Sequence, residues 1–257
     1  MTLTNGEVLN LGKNPRSPPT GLQLFKKVKT DSITTTICHY NGYTYVGQTS
    51  GAIDRIDEHG NVDKAFIKLP NMVVSSAIDN ERIYILTYVD TASSRIFVHE
   101  LNNHKQLISW QHCKVSHFGQ RILVTHDSKL AVGDWSSKQI IIYSLTGDVI
   151  RKVPCPPSLT LTGSVCMSSC GDDSVVISDW GTANMVVRMS LKDGSLLWSS
   201  DRVTNPGGIV HHPAGYVLVV SNHVDNTTIY VLNEKDGWYC NIAVVSRSFS
   251  YPDGCDT

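Results

Sequence analysis

The sequence predicts an all-β fold built from a repeated four-stranded unit. Apolar or alternating runs rich in Val, Ile, Tyr and Thr recur along the chain, and Asn, Asp, Gly and Ser separate them. No long 3.6-residue apolar periodicity competes with these runs, so long helices are not expected. The polar residue that ends the second strand of each unit recurs every 42 to 45 residues, at Gln48, Asp90, Asp134, Asp179 and Asn222.

A turn residue repeats with a similar period. It falls at Gly60, Asn103, Gly147, Gly194 and Gly237, where a hairpin with positive φ favours Gly or Asn. A four-stranded unit of roughly 43 residues is typical of a β-propeller blade, which can bury its two faces only against neighbouring blades. We therefore expect a β-propeller of antiparallel four-stranded blades.

The length of 257 residues corresponds to six such blades in a single domain, 1–257. Five of them are expected at 31–70, 71–114, 115–157, 158–203 and 204–248. The sixth would be shared between 1–30 and 249–257, since Pro252 and Gly254 repeat the spacing of Pro206 and Gly208. This blade would be short, so a chain cut from a longer protein is the alternative.

Composition excludes several classes of partner. The formal net charge is −1, which gives no basic excess for DNA or for an anionic membrane surface. No segment approaches the roughly 20 apolar residues of a membrane span, and the N-terminal stretch lacks the order of a signal peptide. Seven cysteines, an odd number at irregular spacings, are typical of reduced thiols. We expect a cytoplasmic monomer.

The third to fifth units resemble NHL repeats, the six-bladed propellers found at the C-termini of tripartite-motif proteins. The resemblance rests on the opening Pro206-Gly207-Gly208-Ile209, and on an Asp followed by an apolar strand and a turn Gly in 134–147 and 179–194. The first two units match loosely. The family's usual Asn-His-Arg is replaced by Ser136-Ser137-Lys138 and by Gly181-Thr182-Ala183, so the role of that triplet does not carry over.

The resemblance implies a binding scaffold, with a protein or single-stranded RNA as the partner. RING, B-box and coiled-coil segments are absent, so any role in a ubiquitin-ligase-like system would be substrate recognition, with the ligase activity outside this chain. RNA-binding relatives present a strongly basic face. Here Lys138 accompanies Asp134, Asp179 and Asp225, which favours a protein or carbohydrate ligand over RNA.

The candidate binding residues surround the repeated Asp-Trp pair. Asp134 and Asp179 are expected to accept amide hydrogens of the following loop in an Asx turn. Trp135 and Trp180 come one residue later, and each ring is either a wedge on the neighbouring blade or an exposed platform for a ligand. Lys138, His223, Asp225 and Asn226 would extend the same face.

Metal binding and catalysis have weaker support. His39, His126 and His212 lie near the ends of first strands but are out of register, so we expect no metal and no cofactor. Cys166 and Cys170 are interpreted as small hydrophobic residues of a strand. Similar propellers include calcium-dependent lactonases, but the inner strands here begin at Thr34, Val73, Gly119, Ser164, Gly207 and Asp253. One carboxylate is too few for such a calcium site, so a metal-dependent hydrolase remains only the alternative to a non-enzymatic protein.

Overall fold

In the computed structural model of this protein, the described residues form β-strands joined by turns and loops. The structure describes residues 7–10, 23–27, 30–90, 93–112, 121–161, 164–222 and 226–246. Nothing in these ranges forms a helix with the length and apolar character that crossing a membrane requires.

Five four-stranded sheets and one two-stranded sheet make up these ranges. The two-stranded sheet pairs β1 (Glu7–Asn10) with β2 (Gln23–Lys27). The first blade contains β3 (Thr34–Tyr40), β4 (Tyr43–Gln48), β5 (Ala52–Ile56) and β6 (Val62–Lys68). The second contains β7 (Met72–Asp79), β8 (Arg82–Asp90), β9 (Ser93–Glu100) and β10 (Gln106–His112).

The remaining three blades repeat this pattern. The third contains β11 (Ile122–Val124), β12 (Leu130–Asp134), β13 (Gln139–Tyr143) and β14 (Val149–Pro154). The fourth contains β15 (Ser164–Ser169), β16 (Ser174–Trp180), β17 (Met185–Ser190) and β18 (Leu196–Ser200). The fifth contains β19 (Pro206–His212), β20 (Tyr216–Asn222), β21 (Asn226–Asn233) and β22 (Tyr239–Ser246).

The sheets follow one another as propeller blades. Within each sheet the strands are antiparallel and adjacent in chain order, so the first strand forms one edge. The first strands contact one another in succession, from β3 through β7, β11 and β15 to β19. The prediction of an all-β propeller is confirmed.

The predicted number of blades is wrong, because the described residues form five four-stranded blades and not six. In the described part of the chain, β1 and β2 pair only with each other and form no four-stranded sheet. The expected C-terminal strand in 249–257 lies outside the described residues. Closure by a shared blade depends on pairing between distant ends of a chain, and a local period carries no information about that pairing.

The apolar core lies between the blades. One cluster joins Ile53 and Phe66 of the first blade to Val73 and Ile85 of the second, and similar clusters occupy the next three interfaces. Fully burying a Val, Leu or Ile side chain stabilises a fold by about 1.5–3 kcal/mol. A single blade would expose much of this surface, so neighbouring blades stabilise one another.

Hydroxyl groups connect successive first strands. At three interfaces a backbone N–H of one first strand donates to a hydroxyl of the preceding first strand: Ser76 to Thr36 (3.1 Å), Ile122 to Ser75 (3.2 Å) and His211 to Ser168 (2.9 Å). These bonds satisfy donors at a sheet edge that has no strand partner on that side.

The hairpins between third and fourth strands contact the preceding blade. Gly147 has φ 101°, and a Cβ there would lie 2.7 Å from the ring of Trp110. Gly237 has φ 69°, and a Cβ there would lie 2.8 Å from the ring of Trp198. Both positions therefore require Gly for two reasons, the left-handed backbone and the close approach of an aromatic ring.

Gly60 and Gly194 also have positive φ, at 78° and 80°. In the second blade the positive φ falls on His104 (60°) and not on Asn103, where the repeat led us to expect it. The side chain of Asn103 instead accepts the backbone N–H of Lys105 in an Asx turn, which moves the left-handed residue one place along.

Candidate functional site

The loops between second and third strands and the connections between blades lie at the same end of the antiparallel sheets. For the third and fourth blades we define the loop face as 135–138, 155–161, 180–184 and 201–205. All the candidate binding residues that the structure describes in these two blades belong to this surface or directly precede it.

Asp134 accepts the hydrogen bonds expected of an Asx-turn residue. Its Oδ1 accepts from Ser136 Oγ (2.7 Å) and from the Ser137 amide (3.3 Å), and its Oδ2 accepts from Gln139 Nε2 (3.0 Å). Burial by itself raises the pKa of this carboxyl, but these hydrogen bonds together outweigh burial and leave the pKa below its ordinary range. Asp134 is therefore an ionised residue that orders its own loop.

Asp179 binds a different segment. Its Oδ2 accepts from the backbone N–H of Thr160 (2.9 Å), from Thr160 Oγ1 (3.1 Å) and from the backbone N–H of Leu161 (2.9 Å). These residues precede the blade, whereas the sequence predicted bonds to the loop that follows. Leu161 has φ 55°, a conformation that is uncommon for a large side chain, and the Asp179 carboxylate holds it there. Among the described residues Asp179 Oδ1 has no hydrogen-bond partner.

The polar residues that end the second strands of the other blades differ in their contacts and exposure. Gln48 resembles Asp179, because its Oε1 accepts from the Ser32 amide (3.1 Å) in the segment before the first blade. Asp90 is exposed at the end of β8. Asn222 ends β20, and its side chain lies outside the described part of the structure.

Trp135 does not form an exposed platform. Its side chain is only 5% exposed and packs in the core between the third and fourth blades, with Leu159 and Val165. The ring lies over Gly133, where a Cβ would come within 2.2 Å of it. This arrangement matches the wedge interpretation, and the ring presents no free surface to a ligand.

Trp180 is the exposed member of the pair. It is 45% exposed at the end of β16, although Asp179 beside it is completely buried. A large aromatic side chain next to a fixed backbone is typical of residues that anchor protein interfaces.

The segments around Trp180 are joined by hydrogen bonds between side chains and backbone. Thr160 Oγ1 accepts from the Ala183 amide (3.1 Å), and Asn184 Oδ1 accepts from the Asn205 amide (2.7 Å). The loop that follows Trp180 is therefore connected to the interblade connections on both sides. Because the loop is already ordered, the entropic cost of binding a partner there is lower.

Of the remaining predicted binding residues, the structure describes the side chain of one. Lys138 is exposed on the loop face, and its backbone carbonyl accepts from the Cys155 amide (2.9 Å). His223 and Asp225 lie outside the described residues, as does the side chain of Asn226 at the start of β21. Their place in the site stays a prediction.

The three histidines considered as metal ligands are separate. His39 and His126 are exposed in the first and third blades, and the ring of His212 stacks on Tyr216 with 4.3 Å between centroids. Within the described ranges, none of the three belongs to a cluster of potential metal ligands.

One cluster escaped the sequence analysis. Cys170, His211 and Glu234 lie between the fourth and fifth blades, and their ligand atoms are all within 4.8 Å of one another. The sequence predicted strand packing for Cys170, and it was the neighbouring His212, and not His211, that was named as a candidate ligand. The sequence did contain a positional signal: Cys170 directly follows β15 and His211 is the second-last residue of β19, so both lie near the hairpin ends of the first strands of adjacent blades.

Three of the described cysteines have a raised thiol pKa and therefore low reactivity. Burial raises the pKa of Cys38 to about 11, of Cys155 to about 12 and of Cys170 to about 11. Because the thiolate is the nucleophile, these three thiols are poor candidates for covalent catalysis at neutral pH.

The chain matches no known family model and no curated protein sequence. Among solved structures, a chain of a nidogen/laminin complex is 12% identical, with a TM-score of 0.69 over 96% of this chain and 92% of that one. A catalytically inactive virginiamycin B lyase from Staphylococcus aureus, solved with quinupristin, is 12% identical, with a TM-score of 0.63 over 94% and 86%. A chain of a mitotic checkpoint complex is 12% identical, with a TM-score of 0.58 over 88% and 68%.

At these identities the likeness shows the fold alone, and that fold is a β-propeller. The similar chains include members of protein complexes and a lyase, so the fold is compatible with both a scaffold and an enzyme.

Proposed function

We propose that this protein is a non-catalytic scaffold that binds a protein partner on its loop face, with Trp180 as the anchor. The observation that carries the proposal is the contrast between Trp180, 45% exposed, and the fully buried Asp179 beside it. Three hydrogen bonds fix Asp179 to the preceding connection, so an aromatic ring is exposed from a rigid point of the backbone.

The charge of the loop face favours a protein over RNA. Asp134 and Asp179 are buried in hydrogen bonds, so they add little to the surface charge that a ligand would meet. The exposed charged residues of this face are Lys138, Asp201 and Arg202. Single-stranded RNA is usually bound in a basic groove, and this mixture of signs does not form one.

The proposal includes the resemblance of the third to fifth blades to NHL repeats. It also includes a role in a ubiquitin-ligase-like system. In that setting the propeller would recognise a substrate in the cytoplasm, as a monomer, and another polypeptide or segment would supply the ligase activity. The free thiols of Cys38, Cys155, Cys166 and Cys170 are compatible with a reducing compartment.

An affinity pull-down from the native source tests the proposal with a matched pair of tryptophan variants. Trp180→Ala removes the loop-face ring. Trp238→Ala removes a ring that is 66% exposed in the hairpin between β21 and β22, where the Arg202 guanidinium lies 5.3 Å from its centroid, so this variant also reports whether the Arg202 contact matters for binding. We expect a protein that binds the wild type and Trp238→Ala but is lost from Trp180→Ala, with no change after RNase treatment.

Two outcomes contradict this proposal. If both variants captured the partner protein equally well, Trp180 would not be part of the interface. Recovery that RNase abolishes would make RNA the partner. Urea unfolding of each variant, measured beforehand, separates a lost interface from a lost fold.

A further inference from the structure

The hairpin side of the fourth and fifth blades contains a cluster of side chains that the loop-face proposal does not use. The Cys170 sulfur, a His211 ring nitrogen and a Glu234 carboxylate oxygen lie within 4.8 Å of one another. His211 Nε2 and Glu234 Oε2 are 2.9 Å apart. We propose that these three residues bind one zinc ion between the two blades.

The geometry is close to that of a zinc site. With zinc–ligand bonds of about 2.0–2.3 Å, the ligand atoms of a tetrahedral site are separated by roughly 3.3–3.8 Å. The ligand atoms lie within 4.8 Å of one another, so zinc binding requires the His211–Glu234 pair, at 2.9 Å, to open slightly and the other separations to close by at most about 1 Å. Three protein ligands leave a fourth position for water, as in open zinc sites.

The backbone of each ligand is fixed independently. The Cys170 amide donates to the Ser174 carbonyl (3.1 Å), and the His211 amide donates to Ser168 Oγ (2.9 Å). The Glu234 amide donates to the Gly215 carbonyl (3.1 Å). Metal sites need such support because ligands that must be ordered on binding lower the affinity.

A second group of residues orients the carboxylate. Arg188 donates through one nitrogen to Glu234 Oε1 (3.0 Å) and Asp172 Oδ2 (2.8 Å), and through another to the Glu234 carbonyl (2.6 Å). Trp198 Nε1 donates to the same carbonyl (2.7 Å). With Oε1 held by Arg188, Oε2 is directed towards His211 and Cys170, which is how outer residues position metal ligands.

The charges also balance. Zinc bound to the Cys170 thiolate, neutral His211 and Glu234, with Arg188 and Asp172 beside them, gives a total charge of zero. Binding displaces the thiol proton of Cys170, which passes to solvent as the zinc–sulfur bond forms. Thiolate, imidazole and carboxylate together suit zinc, whereas calcium and magnesium prefer oxygen ligands alone.

The experiment measures zinc content and cobalt spectra of the full chain with two matched pairs of variants. Cys170→Ser is paired with Cys166→Ser, and His211→Gln with His212→Gln. After chelation and dialysis against zinc, we expect one equivalent in the wild type, Cys166→Ser and His212→Gln, and loss of that equivalent in the other two. Cobalt should give a thiolate charge-transfer band in the same three proteins only.

Equal zinc content in Cys170→Ser and Cys166→Ser, or no zinc in the wild type, would overturn the proposal, and so would calcium or magnesium binding in place of zinc. Circular dichroism checks that each variant is folded. If Cys170→Ser does not fold, the histidine pair decides the question through the cobalt band. These readouts do not involve Trp180, so partner binding on the loop face is tested separately.

Discussion

In the third blade the tryptophan after the repeat aspartate is 5% exposed, whereas in the fourth blade the tryptophan at the same place is 45% exposed. The two tryptophans differ in local backbone and in the residue two positions earlier. Trp135 is the first residue of the turn that follows β12, whereas Trp180 is the last residue of β16. Gly133 leaves room for the Trp135 ring to lie back over the backbone. Ser178 is the equivalent residue in the fourth blade, and its hydroxyl donates to the Gly207 carbonyl of the fifth (2.6 Å).

This comparison shows that Asp-Trp is not one motif with one role. Gly-Asp-Trp places the ring in the core between blades, and Ser-Asp-Trp leaves it on the surface.

The largest loss of stability is expected when the buried ring of Trp135 is removed. Trp135→Ala should lower the free energy of unfolding by about 3–5 kcal/mol, because it leaves a cavity between the third and fourth blades. Urea unfolding followed by circular dichroism measures this. A loss below about 1 kcal/mol would mean that the ring contributes little to the core.

Exchanging the preceding residues tests the cause of the difference. Gly133→Ser should expel the Trp135 ring, since the new side chain overlaps it, and should cost about 3 kcal/mol or more, approaching the loss in Trp135→Ala because the same space between the blades is vacated. NMR of fluorotryptophan-labelled protein should show one additional solvent-exposed indole. The reciprocal Ser178→Gly should shift the Trp180 resonance towards a buried environment, and an unchanged spectrum in both variants would refute the explanation.

The Asp134 carboxylate should stabilise the third blade in a pH-dependent way. Its pKa in the folded protein lies below the value of about 3.9 in an unfolded chain. The stabilisation is therefore complete above that value and is lost as the pH falls through the lower pKa of the folded state.

Asp134→Ala should cost about 1–3 kcal/mol at neutral pH, and the difference from wild type should shrink in acid. Urea unfolding between neutral pH and pH 3 measures both effects. Asp201→Ala, at an exposed aspartate, is the control. A difference from wild type that is constant with pH would show that the charge of Asp134 is not what matters.

The smallest effect on stability is expected at Trp180. Trp180→Ala should change the free energy of unfolding by about 1 kcal/mol or less, because nearly half of the side chain is already in solvent. Thermal and urea unfolding measure the change. A loss comparable to that of Trp135→Ala would make both rings structural and would remove the basis for the loop-face proposal.

Much of the fold could be predicted because blades repeat local information. Apolar alternation and the regular spacing of Asp134 and Asp179 identified the strands and the propeller class. Gly147 and Gly237 could be placed in tight hairpins, although their contacts with Trp110 and Trp198 of the preceding blades depend on the assembled structure. The blade number was missed because it depends on how the termini pair.

The site was less predictable for the same reason. The sequence singled out Trp135 and Trp180 equally, and only the packing over Gly133 separates them. Cys170 and Glu234 are 64 residues apart in the chain, so their proximity follows from the contact of two blades and from no local motif.

The three hydrogen bonds between first strands that a backbone N–H donates to a hydroxyl have the same polarity along the chain. Thr36, Ser75 and Ser168 each accept from a strand that comes later in the chain. During synthesis each acceptor therefore leaves the ribosome before its donor, and a finished blade already displays the group that the next one needs. At these three interfaces the acceptor is therefore in place before the blade that donates to it, which is compatible with assembly in the order of translation.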